Sequence, residues 1–169
     1  MMWLLALLPF TFQAVVIGVD EVYFHYKRGL PKWERIGHPI DTFSVLNCMI
    51  FALIVPFTPG SLKVYLVLAI LSCLMVTKDE FVHKHFCPAS ESWLHALLFT
   101  LHPITLAMVG LIWAFLGGAD LPSWIAVLFD NKIALKTFLY LQSFAMTAFL
   151  FYQIIFWNFI WKENVAIKH

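Results

Sequence analysis

Residues 93–116 read WLHALLFTLHPITLAMVGLIWAFL, a run of 24 positions without a single Asp, Glu, Lys or Arg. A helix needs roughly 20 apolar residues to cross the hydrocarbon of a bilayer. Inside lipid only a helix satisfies its own backbone hydrogen bonds in one segment. This stretch is therefore read as a transmembrane helix. His95 and His102 are its two ionisable side chains. Seven residues apart, they lie about 20° off one stripe and roughly 10 Å apart in depth. Glu91, four residues before His95, extends the stripe. Glu91, His95 and His102 thus form a polar line on an apolar helix, which must face the bundle interior and not lipid.

Outward from this helix the same pattern recurs. Apolar runs of spanning length cover about residues 1–19, 40–58, 62–76 and 137–161 as well. The third is short, and its helix is expected to continue into water through residues 77–86. The fold class is therefore all-α: one transmembrane domain over residues 1–169, with five spans. Composition agrees, at 62% hydrophobic, 12% charged and mean hydropathy +0.82. Soluble domains are about a quarter charged. A net charge of +1 gives no case for nucleic-acid binding. Cys48, Cys73 and Cys87 share no CxxC spacing and suggest no disulfide framework. The first run lacks the basic region of a secretory signal peptide and is expected to be a retained span.

Orientation follows from the Lys and Arg residues. Lys27, Arg28, Lys32, Arg35, Lys78, Lys84, Lys162 and Lys168 fall on one side; Lys63, Lys132 and Lys136 fall on the other. The positive-inside rule puts the N-terminus outside, and the C-terminus and the polar segments 20–41 and 77–92 in the cytoplasm. A multi-pass protein of a prokaryotic inner membrane is expected from the small size. The layout also allows a homodimer. Residues 124–129 are apolar but too short to span, and are placed at the interface.

The histidines are the informative feature. Six of the seven, all but His169, lie in or beside the two cytoplasmic hairpins, and so do Asp20, Glu21, Glu34, Asp41, Asp79, Glu80 and Glu91. Glu21 and His25, Glu34 and His38, and Glu91 and His95 are each four apart; Glu80 and His83 are three apart. At these spacings the two side chains share a helix face. If the spans continue a turn or two into the cytoplasm, each of the first four offers one Glu and one His. The candidate metal ligands are therefore Glu21, His25, Glu34, His38, Asp41, Glu80, His83, Glu91, His95 and His102.

An internal echo accompanies them. DEVYFH then GHPIDT in the first half matches DEFVH then LHPIT in the second. Both hairpins run the same way through the membrane, so they could be parallel repeats about an axis along the membrane normal. Such an axis would build two equivalent metal positions.

Mixed imidazole and carboxylate suits iron, zinc, manganese or nickel. Soluble di-iron bundles use two glutamates and two Glu-x-x-His pairs from four helices. In type, the arrangement resembles the membrane non-haem di-iron enzymes, the histidine-box hydroxylases and desaturases. Those carry metal ligands on cytoplasmic extensions of transmembrane helices. The resemblance covers residues 20–102 and lacks the dense HxxxH and HxxHH boxes, so no ligand carries over residue by residue.

The expectation is a metalloprotein with two divalent ions, iron favoured and zinc the alternative. As an oxidoreductase it would take a lipid-soluble substrate, an acyl chain or a quinone, laterally from the membrane lipid, and meet a redox partner from the cytoplasm. A zinc-dependent hydrolase would use the same ligands with an open position for water. A divalent-metal transporter or sensor would need ligands continuing across the bilayer, which the spans lack. Haem on His38, His95 and His102 sits poorly with so many carboxylates.

Individual residues have plainer readings. Asp20, Asp79, Lys27, Lys32 and Lys84 read as solvated charges that set topology. Arg28, Lys32, Trp33 and Arg35 could dock anionic headgroups, but the topology signal suffices. The last span, with Gln142, Ser143 and Gln153, is expected to brace a four-helix core.

Overall fold

The computed structural model describes residues 1–78 and 87–161. They are mostly helical, with no strand among the described residues. Five helices are long and apolar enough to cross a membrane: α1 (Met2–Arg28), α2 (Lys32–Ile54), α3 (Pro59–Val76), α4 (Ala89–Leu116) and α5 (Lys132–Ile160). A single helical turn, Ser123–Ala126, lies between α4 and α5.

The helices outrun the apolar stretches at the polar face. Most of the segment read as a loop, 20–41, is helix, broken only at residues 29–31. Gly29 makes the break with φ +74°, a left-handed conformation that costs glycine no Cβ clash. Pro31 then stands in extended geometry before α2. Carboxylates and imidazoles that would have been solvated in a loop are thereby fixed on rigid helix ends.

α2 is the hub: it packs against α5, α3 and α4, while α1 packs chiefly on α4. α1 and α5 are not a closely packed pair. The apolar core includes Phe10, Met49, Tyr65, Leu106, Val109, Ile112, Trp113, Leu135 and Leu139. Its far half is closed by aromatic rings. Trp113 meets Phe51, Phe57 and Tyr65 at 5.0–5.6 Å between centroids, a spacing at which rings attract beyond their buried area. Turn chemistry sets the entry of α3, where the Thr58 hydroxyl accepts from the Ser61 amide and Pro59 opens the first turn.

The large outward apolar surface, including Val15, Phe43, Leu66, Ile70 and Phe144, needs lipid to cover it. His38-Pro39 and His102-Pro103, one half of the echo, lie inside α2 and α4. Its other half falls partly on Asp79, Glu80 and His83, which lie outside the described residues.

Candidate metal centre

α1 is an α-helix as far as Val19 and then widens into a π-turn over Asp20–His25. The Tyr26 amide donates five residues back, to the Glu21 carbonyl. Such turns are rare and mostly occur as single insertions, frequently at functional sites. Its effect here is to bring two consecutive carboxylates against one imidazole. Glu21 Oε2 lies 3.1 Å from His25 Nδ1, and Asp20 Oδ2 lies 3.2 Å from His25 Nε2.

α4 supplies the other wall. Asp20 Oδ1 is 3.6 Å from His95 Nε2, and Glu91 Oε1 is 3.9 Å from His25 Nε2. One ligand atom from each of Asp20, His25, Glu91 and His95 lies within 4.8 Å of the other three. Metal–nitrogen and metal–oxygen bonds of about 2.1 Å put tetrahedral neighbours about 3.4 Å apart, so these separations are of the size a bound ion requires. The group is buried: Glu91 is 0%, His95 4% and Asp20 5% exposed.

Three of these residues each hold a buried side-chain atom with no hydrogen-bond partner. Asp20 Oδ1, His25 Nε2 and Glu91 Oε2 are buried without a hydrogen-bond partner. His25 Nε2 is close to Asp20 yet makes no hydrogen bond of acceptable geometry with it. Buried polar atoms almost always find a partner, and each exception asks for a cause such as an ion. Converging lone pairs that do not bond one another fit a cation at their centre.

Residues behind the group fix its orientation. Trp157 Nε1 donates to Glu21 Oε1 at 2.6 Å, and the Tyr152 hydroxyl donates to the same oxygen at 2.8 Å. Glu21 in turn holds His25 Nδ1, which leaves Nε2 facing inward. A carboxylate behind a histidine is the usual way to set tautomer and ring direction at a metal. Trp157 sits on a second π-turn, Phe156–Ile160.

Arg28 answers part of the charge. It donates to Glu34 at 3.0 and 3.2 Å and to Glu91 Oε1 at 2.6 Å. Asp20, Glu21, Glu34 and Glu91 are all buried, so Arg28 offsets one of four carboxylate charges. A divalent ion would offset two more. Cys87 stands at the rim. Burial, with the negative charges of Glu91 and Glu34, pushes its thiol up to about 12 against a favourable pull from Arg28. It is in neither group of converging candidate ligands, so the donor set there is nitrogen and oxygen.

Comparison with protein-family models, with curated proteins and with solved structures finds no match to this chain.

The expected ligands divide as follows. His25, Glu91 and His95 meet in one group. His25, Glu34 and His38 form a second within 4.8 Å, with the His25 and His38 rings 4.8 Å apart. Glu21 lies behind His25. Asp41 is held by Lys78 Nζ at 2.7 Å and belongs to neither group. Glu80 and His83 lie outside the described residues. His102 is in neither group, and both of its nitrogens have close partners. Gln13 Nε2 lies 3.3 Å from Nδ1, and Ser72 Oγ lies 3.0 Å from Nε2. Ser72 reaches Ser44, and Ser44 donates to the Asp41 carbonyl. With Ser44 spent on that carbonyl, Ser72 must donate to Ser44, so His102 Nε2 carries the proton and Nδ1 accepts from Gln13.

Asp20 is the residue that sequence reasoning missed. Read as a solvated loop charge, it is buried between two histidines. Arg28, read as a topology signal, is a part-exposed counter-ion to buried Glu34 and Glu91.

A cavity of about 100 Å³ opens beside the group. Polar Asp20, His25, His95 and His102 line one side; apolar Ile17, Val45, Leu98 and Phe149 line the other.

Proposed function

We propose that this chain is an integral membrane metalloprotein. Its metal is held by Asp20, His25, Glu91 and His95 where α1 and α4 leave the apolar zone. The observation that carries this reading is the convergence of one ligand atom from each of four buried residues, three of which hold a buried polar atom without a hydrogen-bond partner.

His25 belongs to both ligand groups, and its Nδ1 is engaged by Glu21, so it can serve one ion. This favours one complete site over the two expected from the ligand count. Glu34 and His38 are then a partial position beside it. Two imidazoles and two carboxylates suit non-haem iron, which commonly keeps open coordination positions on such ligands. We read the activity as oxidoreduction of a lipid-soluble substrate, because the site's cavity joins charged ligands to apolar walls. When bound, iron would supply one-electron and oxygen chemistry. The chain's own part is to orient His25 through Glu21, to hold Glu91 through Arg28 and to limit water. The excess of Lys and Arg on this side supports a cytoplasmic position.

The test is metal content after purification in mild detergent without chelators. About one iron per chain is expected, lost in Asp20→Asn and His95→Ala and retained in Asp41→Asn. One zinc instead would turn the reading toward hydrolysis. Stoichiometry far below one, unimproved by reconstitution, would falsify the metal assignment altogether.

A further inference from the structure

A second cavity, of about 290 Å³, lies between α1 and α5. It shares Gln13, Ile17, Val45, Met146 and Phe149 with the cavity beside the candidate metal group, so the two cavities adjoin. Its outer residues are small and exposed: Ala14 and Gly18 on α1, Ala145 on α5. A Cβ built on Gly18 would meet nothing within 4 Å. Small residues four apart commonly bring membrane helices together. Here α1 and α5 meet at Phe10–Phe138 and at Glu21 with Tyr152 and Trp157, and the cavity opens between these contacts, within both spanning segments.

The inner end carries two unpartnered polar atoms. Gln13 Oε1 and Thr105 Oγ1 have no hydrogen-bond partner, and these residues are 8% and 5% exposed. Thr105 is informative because threonines inside helices usually bond back to the preceding turn. Thr11, Thr100 and Thr147 do so here, at 2.8–3.1 Å. Thr105 does not; it lines the cavity instead.

We propose that this slot binds a neutral lipid bearing one hydroxyl on a single hydrocarbon chain. The chain lies between α1 and α5, and the hydroxyl sits between Gln13 and Thr105. An alcohol satisfies both atoms: it accepts from the Thr105 hydroxyl and donates to Gln13 Oε1. A slot of this size admits one chain; drug-sized ligands already occupy roughly 300–1,000 Å³. The buried carboxylates of the adjoining site repel a fatty acid or a phosphate. The head carbon is thereby turned toward the cavity beside His95. That this lipid is the substrate rests on the metal-site reading; the binding itself does not.

The experiment uses the purified full chain and a photoreactive long-chain alcohol with a diazirine a few carbons from its hydroxyl. Crosslinked peptides are mapped by mass spectrometry, and metal content is measured on the same preparation. Crosslinks are expected on the segments around Phe10–Gly18 and Gln142–Phe149. 1-Hexadecanol is expected to compete at least tenfold better than hexadecanoate. Ala145→Trp fills the slot and abolishes labelling. Thr105→Val keeps the shape and weakens competition about fivefold, the loss of one hydrogen bond. Labelling elsewhere, equal competition by the acid, or indifference to Thr105→Val overturns the proposal. Labelling retained on metal-free protein rejects the metal reading alone; metal retained without labelling rejects the slot alone.

Discussion

In the half of the bundle away from the metal centre, polar atoms are closed off against backbone. The Tyr65 hydroxyl donates to the Leu106 carbonyl at 2.6 Å, and Trp113 Nε1 donates to Val55 at 2.8 Å. Asp130 accepts from the amides of Met2 and Trp3. At the other end, Asp20, His25 and Glu91 each keep an atom unpartnered in a buried cluster. Four of the seven buried atoms without a hydrogen-bond partner, among the described residues, belong to Asp20, His25, His38 and Glu91, and none to Tyr65, Trp113 or Asp130. One half is built for stability, where satisfied polar groups fix a unique packing. The other half keeps lone pairs vacant at a cost in stability, which a folded protein tolerates where it needs them for a ligand.

The sharpest way to break this contrast is Arg28→Met. Arg28 bridges Glu34 and Glu91, whose side chains are fully buried. Removing this cation takes its charge and its hydrogen bonds from two buried carboxylates. Breaking a buried ion pair costs about 3–5 kcal/mol, and the partial exposure of Arg28 puts the expected loss near about 3 kcal/mol. Unfolding in a denaturing detergent series would measure it. Added iron or zinc is expected to restore part of the loss, because the ion offsets the same charge. If Arg28→Met unfolds like the parent chain, the carboxylates are not held as charged groups and the site end is no different from the rest.

Tyr152→Phe is the next largest and touches binding more than stability. Its hydroxyl donates to Glu21 Oε1 beside Trp157 Nε1, so Glu21 keeps one donor when Tyr152 loses its own. Partners behind a metal-bound histidine are worth 10–100-fold in affinity. A loss of about tenfold is expected, read by metal competition with a chelator, with the fold intact. Trp157→Phe is expected at the upper end of that range. Unchanged affinity in both would remove Glu21 from the orienting role assigned to it.

The difference between the two halves also decides what was legible in the sequence. Five spans were readable because lipid as solvent demands long apolar helices, and no tertiary detail alters that requirement. Glu21 with His25 and Glu91 with His95 were readable because a four-residue spacing puts two side chains on one face. Asp20 was not. On an α-helix it points about 100° from Glu21, and only the π-turn turns both toward His25. Nothing in residue spacing announces that turn. His102 lay on the right stripe but a turn or two too deep, where Gln13 and Ser72 claim it. Arg28 was hidden by its place in a basic segment, whose charge count cannot tell a solvated cation from the counter-ion of buried carboxylates.

The smallest expected effect comes from the same chemical deletion made in the quiet half. Tyr65→Phe removes one hydroxyl, as Tyr152→Phe does, and leaves the ring packed between Phe51 and Trp113. The Leu106 carbonyl loses the Tyr65 donor but keeps its place in α4. A single neutral hydrogen bond contributes about 1 kcal/mol, so a stability loss of that order is expected, with metal content unchanged. Gly110 sharpens the case. A Cβ there would stand 3.0 Å from the Tyr65 ring, so the ring is fixed by contact and should not move when its hydroxyl goes. Two tyrosine-to-phenylalanine changes would then separate by readout, one in unfolding and one in metal affinity. If Tyr65→Phe also lowers metal affinity tenfold, the two halves are coupled through α4, and the division of labour between them fails.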